Sequence, residues 1–156
     1  MQTVFLVLHN IRSTHNVGSL LRTADAAGVS EVCLCGYTPD PIDRFGRKRS
    51  DIAKVALGAE ESVSWKHYKT LQDCINELRQ KGVGIVALEQ SPNSIDYCSY
   101  TPKNSVALIV GNEPDGIEES ILTQCDAILE IPMRGKKESL NVSVAAGIAL
   151  YQLIQD

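Results

Sequence analysis

The residues best suited to chemistry fall in three short segments, and the first is N-x-G-S-x-x-R-T-A at residues 16–24. On the 3.6-residue repeat of a helix, Asn16, Ser19, Arg22 and Thr23 share one polar side, opposite an apolar stripe. That side offers a ligand hydrogen-bond donors and one fixed positive charge. By itself the segment is explained more simply as a helix that Asn16 caps and on which Arg22 is solvated.

The second segment is V-G-N-E-P-D-G-I at residues 110–117. Two glycines around a turn let a ligand approach the backbone closely, and Glu113 could face a cationic or hydroxyl-bearing group. The segment lacks the G-x-x-x-x-G-K-[ST] and G-x-G-x-x-G patterns of phosphate-binding loops. Sites for nucleoside triphosphates or Rossmann-type dinucleotides therefore lose their main support, while a tight turn without a ligand remains an alternative.

The third segment combines I-P-M-R-G at residues 131–135 with S-L-N-V-S-V-A-A-G at residues 139–147. Ser139 is a suitable N-cap for the helix that follows, and the small residues in that helix permit close backbone packing. The pattern buries Asn141 inside this helix. A buried amide needs hydrogen-bond partners, so we expect Asn141 to have either a structural or a ligand-binding role.

Elements of two kinds must position these segments. Short β-branched runs predict strands at residues 3–8, 31–35, 62–65, 84–88, 105–110 and 127–131. Amphipathic patterns predict helices at about 17–27, 51–57, 69–80, 118–124 and 139–155. The alternation predicts an α/β fold with a mainly parallel sheet and helices on both faces. Ligands of such sheets collect beyond the carboxyl ends of the strands, where the informative segments lie.

Composition narrows the class of protein. A chain of 156 residues, 44% hydrophobic and 22% charged, predicts one soluble domain over residues 1–156 with one core. No apolar run is long enough to cross a membrane, and the first residues lack a secretory signal, so we expect a cytoplasmic protein. The five cysteines lack C-x-x-C spacing and the three histidines are scattered, which predicts reduced, mostly buried thiols and implies no metal.

The positive charges are clustered, although the net charge is −4. Seven of the fifteen Lys and Arg residues fall in two runs: Arg44, Arg47, Lys48 and Arg49, then Arg134, Lys136 and Lys137. The first run lies within residues 36–50, which have no apolar periodicity and predict a long surface loop. If folding brings the runs to one rim, they form a patch that attracts phosphate; otherwise each is a solvated loop.

Taken in order, the three segments resemble the motifs of the SpoU (TrmH-type) RNA 2′-O-methyltransferases of the SPOUT superfamily. The resemblance covers residues 8–153, and this order of motifs is far more specific than any one of them. It implies a sheet whose C-terminal segment is threaded through a loop as a deep trefoil knot, an exception to the general rule against threaded chains. It also implies S-adenosylmethionine, bound bent in the knot loops, and a homodimer that completes the site.

Residue roles follow from the same resemblance. The residues implied to be catalytic are Arg22, Asn16, Glu113, Ser139 and Asn141. The residues implied to bind the cofactor are Leu88, Gly111, Asn112, Gly116, Ile131, Met133, Ser139 and Leu140. We expect RNA, either tRNA or rRNA, to be bound by Arg12 and the two basic runs, and we expect neither DNA nor a membrane as a partner. Because relatives often carry additional RNA-gripping segments, the substrate is expected to be held by this domain, its partner subunit or another protein.

The implied reaction is methyl transfer to a ribose 2′-hydroxyl. The enzyme must align the hydroxyl with the sulfonium methyl and stabilise the alkoxide that develops. A guanidinium is effectively never deprotonated in proteins, so Arg22 fits a fixed cation, oriented by Asn16, better than the base of the family's proposed mechanism. Three alternatives stay open: a non-catalytic RNA-binding protein with this fold, a flavodoxin-like or Rossmann-type nucleotide enzyme, and methylation of a base.

Overall fold

A single sheet of seven strands organises the chain, and the computed structural model describes residues 1–154 of it. The strands are β1 (Val4–His9), β2 (Glu31–Cys35), β3 (Trp65–Tyr68), β4 (Gly84–Leu88), β5 (Ile95–Asp96), β6 (Val106–Gly111) and β7 (Ala127–Glu130). Their order in the sheet is β3-β2-β1-β6-β4-β7-β5, and each neighbouring pair is parallel. The predicted α/β class and parallel sheet are confirmed.

Helices cover both faces of this sheet, as predicted. They are α1 (Thr14–Ala27), α2 (Ser50–Ala56), α3 (Ala59–Ser62), α4 (Leu71–Gln80), α5 (Glu119–Leu122) and α6 (Val142–Leu153), with a 3₁₀ turn at Tyr97–Ser99. Among residues 1–154, no helix has the length and apolar character that crossing a membrane requires.

The sheet divides the buried apolar residues into two clusters rather than the single core that was expected. Side chains alternate along β1, so Leu6 and Leu8 pack with α1, α2 and α6, whereas Val7 packs with α4 and α5. Such strands are apolar on both faces, which is why their sequences read as nearly continuous hydrophobic runs.

Two helix starts differ from the prediction. Ser13, not Asn16, caps α1, because its hydroxyl accepts a hydrogen bond from the Asn16 backbone N–H at 3.1 Å. Asn141, not Ser139, caps α6, where its side-chain oxygen accepts from the Ser143 N–H at 2.9 Å. Several residues near each of these helix starts have side chains that can cap a helix. Residue type alone does not show which of them does so.

The strand predicted at residues 62–65 is also misplaced, since Ser62 ends α3 and β3 begins at Trp65. Lys66 and His67 are exposed in this edge strand, so it has no apolar run to reveal it. Its position is set by pairing with β2, a contact between distant residues. The two-residue strand β5 and the short helix α3 were not predicted, because elements of that length carry too few residues for a periodic signal.

Buried thiols were predicted, and Cys33, Cys35 and Cys74 are buried and unbonded, whereas Cys98 is exposed. Hydrogen bonding with Cys74 and burial raise the pKa of the Cys33 thiol well above its usual range. A thiol whose pKa is raised in this way is chemically inert and behaves as a small apolar side chain.

Candidate active site

All parallel strands end at one edge, and the loops that leave β4, β6 and β7 enclose a cavity there together with the start of α6. The cavity has a volume of about 210 Å³. All eight residues that were predicted to bind the cofactor line it: Leu88, Gly111, Asn112, Gly116, Ile131, Met133, Ser139 and Leu140. Glu113, from the predicted catalytic set, lines it as well. The sequence motifs of residues 110–117 and 131–141 therefore meet at a single concave surface.

Glycine is required in the turn that follows β6. A Cβ atom on Gly111 would lie 2.6 Å from the carbonyl oxygen of Gly116, which is closer than real Cβ contacts allow. Gly116 has a φ of 64°, in the left-handed region that favours glycine, and its N–H donates to the Asn112 carbonyl at 2.9 Å. The segment is therefore both a tight turn and a wall of the cavity.

Glu89 is a lining residue that the sequence analysis missed. One oxygen of its carboxylate accepts a hydrogen bond from the Ile117 N–H at 3.1 Å, which holds the turn after β6 against the end of β4. The next residue, Gln90, donates from its side chain to the Glu138 carbonyl at 2.7 Å and so ties β4 to the segment before α6. The only available signal was their position directly after a buried strand.

Glu113 connects the second and third segments. Its carboxylate accepts from the Val142 N–H at 3.2 Å, at the first turn of α6. The N-terminus of a helix carries partial positive charge, which favours a carboxylate there. The contact fixes the turn after β6 relative to the last helix.

The first segment joins through Asn16, whose side-chain oxygen accepts from the Asn141 amide at 3.2 Å. Asn141 is exposed rather than buried as expected, because it stands before α6 and not inside it. Arg22 lies six residues after Asn16 on α1, about 9 Å along the helix axis. It is exposed and does not line the cavity, and among residues 1–154 no ion pair involves it.

A second contact lies beside the cavity, between the loops after β1, β2 and β6. The Asn112 side-chain amide donates to the Tyr37 hydroxyl at 2.7 Å, and the Arg12 guanidinium carbon lies 5.4 Å from the centre of the Tyr37 ring. Arg12 was a predicted RNA-binding residue; Tyr37 was not singled out. An isolated Tyr in a long loop gives no pattern in the sequence.

His9, at the end of β1, is buried, and its Nε2 lies 2.9 Å from the carboxylate of Glu118. This pair fixes the far end of the turn after β6. Burial raises the pKa of Glu118, but hydrogen bonds from its own backbone N–H and from His9 outweigh that effect, so its pKa lies below the usual value.

The two basic runs differ in how they are paired. In the first run, Arg47, Lys48 and Arg49 all form ion pairs with carboxylates, and those of Lys48 belong to Glu60 and Glu61 of α3, whereas Arg44 has none among residues 1–154. In the second run, Arg134, Lys136 and Lys137 are exposed and have no ion pair within that range. The first run lies in the loop between β2 and α2 and the second in the loop between β7 and α6, and within residues 1–154 neither run lines the cavity.

Comparison with known proteins identifies relatives that match nearly the whole chain. Residues 3–151 match the profile of the SpoU rRNA Methylase family. The 23S rRNA (guanosine-2'-O-)-methyltransferase RlmB of Neisseria meningitidis is 37% identical over 96% of this chain and 57% of its own length. The putative TrmH family tRNA/rRNA methyltransferase YacO of Bacillus subtilis is 31% identical over 97% of this chain and 58% of its own length.

A solved structure is similar as well. The AdoMet-bound rRNA methyltransferase of Sinorhizobium meliloti superposes with a TM-score of 0.87 and 30% identity, over 96% of this chain and 55% of that one. The chain thus spans a little over half the length of these relatives. The shared part contains the sheet, the cavity and all three motif segments.

Proposed function

Because the chain belongs to the SpoU rRNA Methylase family, we propose that it transfers a methyl group from S-adenosylmethionine to a ribose 2′-hydroxyl of rRNA or tRNA. The observation that carries the proposal is the meeting of the motif segments: one cavity collects the eight predicted cofactor residues, and the Asn16–Asn141 contact joins the first segment to its rim. Relatives named as 23S rRNA (guanosine-2'-O-)-methyltransferases support the same reaction.

The cavity residues fit S-adenosylmethionine. Leu88, Ile131 and Leu140 offer apolar surface for an adenine ring, and the absence of a side chain at Gly111 and Gly116 exposes backbone donors and acceptors. The carboxylates of Glu89, Glu113 and Glu130 also line the cavity, and negative charge suits a cationic sulfonium ligand. We propose that these residues hold the methyl donor.

When bound, S-adenosylmethionine supplies an electrophilic methyl group. The protein then has to place a ribose hydroxyl in line with it and stabilise the negative charge that develops on the oxygen. Arg22 is the proposed cation, because it is exposed, lacks a carboxylate partner among residues 1–154 and stays charged. Asn16, on the same side of α1, holds the reacting end of the site against Asn141.

Further proposals concern the domain, its chain topology and its assembly. We propose that residues 1–156 form one methyltransferase domain and that the segment before α6 is part of a deep trefoil knot. The hydrogen bond from Gln90 to Glu138 supports this, since it anchors that segment across the end of β4. We also propose a homodimer, supported by the exposed apolar side chains of α6, and a cytoplasmic location, which is compatible with an rRNA or tRNA substrate.

Methyl transfer to defined RNAs tests the function. The purified chain is incubated with tritiated S-adenosylmethionine and unmodified transcripts of 23S rRNA or tRNA, and 2′-O-methyl sites are mapped by resistance to alkaline hydrolysis. We expect incorporation into ribose for at least one RNA. Arg22→Lys should lose most of the turnover while calorimetry shows unchanged binding of S-adenosylmethionine. Absence of transfer to both RNAs would overturn the proposed reaction, and full activity of Arg22→Lys would overturn the role of that residue.

A further inference from the structure

Tyr37 is an aromatic residue that is held firmly and yet remains half-exposed. The residue keeps 49% of its surface accessible, although its hydroxyl accepts a hydrogen bond from Asn112 and its ring lies under the guanidinium of Arg12. Fixing an exposed ring costs side-chain entropy and buries little apolar surface. Such an arrangement lowers the cost of binding a flat ligand, because the ring no longer has to be ordered on binding.

The backbone around Tyr37 is fixed as firmly as its ring. The Tyr37 N–H donates to the side-chain oxygen of Asn10 at 3.1 Å, and Asn10 adopts a φ of 54°, which non-glycine residues rarely do. Gly36 has a φ of 66°, in the left-handed region that favours glycine, and a Cβ there would displace the same Asn10 oxygen. The buried hydroxyl of Thr38 accepts from the Ile11 N–H at 3.0 Å and donates to the Leu8 carbonyl at 3.1 Å. These contacts lock the loop after β2 to the end of β1.

The position of Tyr37 identifies the ligand class. Asn112, which holds its hydroxyl, lines the cavity proposed for the methyl donor, so the ring stands at the border of the reacting site. Arg12 adds a positive charge at the same place. An aromatic ring beside a guanidinium is the arrangement that proteins use to stack an unpaired RNA base and hold its phosphate.

We infer that Tyr37 and Arg12 form the binding site for an unstacked nucleobase of the RNA substrate, the target base or its immediate neighbour. Tyr37 supplies the stacking surface and Arg12 contacts the adjoining phosphate. The hydrogen bond from Asn112 orients the ring beside the cavity. This inference rests on the proposed function, since it deepens how the same site chooses its RNA.

The test separates the ring from its hydroxyl. Tyr37→Leu removes the ring, Tyr37→Phe removes only the bond to Asn112, and Phe45→Leu is a matched control. Phe45 is also an exposed ring beside guanidiniums, those of Arg44 and Arg47, within its own turn. Affinity for an unmodified 23S rRNA transcript is measured by filter binding, KM and kcat by methyl transfer, and S-adenosylmethionine affinity by calorimetry.

A base-stacking site predicts that Tyr37→Leu weakens RNA affinity and raises KM for RNA by about 5- to 100-fold, with S-adenosylmethionine affinity unchanged. Phe45→Leu should stay within about threefold of wild type, and Tyr37→Phe, which keeps the stacking ring, should lose clearly less RNA affinity than Tyr37→Leu. Equal losses in Tyr37→Phe and Tyr37→Leu would overturn the inference, because they would assign Tyr37 a purely supporting role for Asn112. Wild-type affinity in Tyr37→Leu would overturn it as well.

The spectroscopic form of the test uses Tyr37→Trp. The wild-type chain has one tryptophan, Trp65, which gives the baseline signal. Base stacking should quench the added fluorescence when the transcript is titrated in, and an unquenched signal from the introduced indole at saturating RNA would contradict the inference. If the wild type binds the transcript through Tyr37 but transfers no methyl group, the proposed function fails while the base site stands.

Discussion

The side-chain amide of Asn141 donates to the side-chain oxygen of Asn16 at 3.2 Å and so joins the first long helix to the last across 125 residues of sequence. The oxygen of the same Asn141 amide accepts from the Ser143 N–H and caps α6. One side chain therefore sets both where the last helix begins and where it lies against α1.

These two tasks of Asn141 can be separated by substitution. Asn141→Ala removes both the cap and the contact with Asn16, whereas Asn141→Asp keeps a capping oxygen and loses the amide donor. We expect Asn141→Ala to unfold at lower denaturant, with a free energy of unfolding about 1 kcal/mol below that of Asn141→Asp. Both variants should lose turnover in methyl transfer. Full turnover in Asn141→Asp would show that the contact with Asn16 does not matter for the reaction.

The geometry of the turn after β6 predicts that alanine is tolerated much less well at Gly111 than at Gly135. Gly111→Ala places a methyl group against the backbone of Gly116 and should cost about 1–3 kcal/mol of unfolding free energy. It should also weaken S-adenosylmethionine binding, because the displaced residues line the cavity. Gly135→Ala is the matched control, since a Cβ there has no neighbour within 4 Å. Calorimetric titration measures the affinity of both variants for S-adenosylmethionine. Equal affinities would contradict a role of Gly111 in shaping the cofactor site.

The sequence predicted the central elements because their signals are local. β2 and β4 have the predicted bounds, since a strand buried on both faces reads as an apolar run. The residues of the cavity were predicted from the resemblance of the three segments to the SpoU motifs, which follow such strands. Glu89 and Tyr37 were not found, because each acts through partners in distant parts of the chain, at Ile117 and Asn112. Residues that act through long-range contacts have no characteristic spacing in the sequence from which they could be predicted.

The ends of elements were less predictable for the same reason. Asn16 does not cap α1, and its side chain contacts Asn141, a partner that only the folded chain supplies. The strand predicted at residues 62–65 begins at Trp65 because pairing with β2, not its own sequence, sets its register. The predicted end of the last helix at residue 155 lies outside the described residues.

The two basic runs should contribute unequally to RNA binding. A cation that releases counterions from RNA contributes about 0.7–0.9 to the slope of log affinity against log salt. Arg134, Lys136 and Lys137 have no carboxylate partner among residues 1–154, so replacing all three by Gln should lower this slope by about 2. The triple Gln variant of Arg47, Lys48 and Arg49 is the control and should change it less, because those cations are already paired. Filter binding at several salt concentrations measures both slopes, and equal changes would contradict the distinction.

The His9–Glu118 pair predicts how stability depends on pH. The pKa of Glu118 lies below its ordinary value of 4.5, so its contribution to stability is fully present above about pH 4.5. The contribution is lost as the pH falls from there through the folded-state pKa. The difference in unfolding free energy between wild type and Glu118→Gln should therefore shrink as the pH falls below about 4.5. It should be small, because the Glu118 side chain is 56% exposed. A difference that grows on acidification would contradict the assignment.

An exposed apolar stripe on α6 predicts the oligomeric state. Val144, Ile148 and Tyr151 are spaced by four and three residues, which places them on one side of the helix, and all three are exposed. Exposed apolar side chains grouped on one face are typical of protein interfaces. We therefore expect the wild type to sediment as a two-fold dimer and Ile148→Glu to sediment as a monomer, because a charge in each copy would be buried without a partner. Ile42→Glu, at an exposed isoleucine outside α6, should leave the dimer intact. A monomeric wild type at micromolar concentration would refute the dimer, and a dimeric Ile148→Glu would place the interface elsewhere.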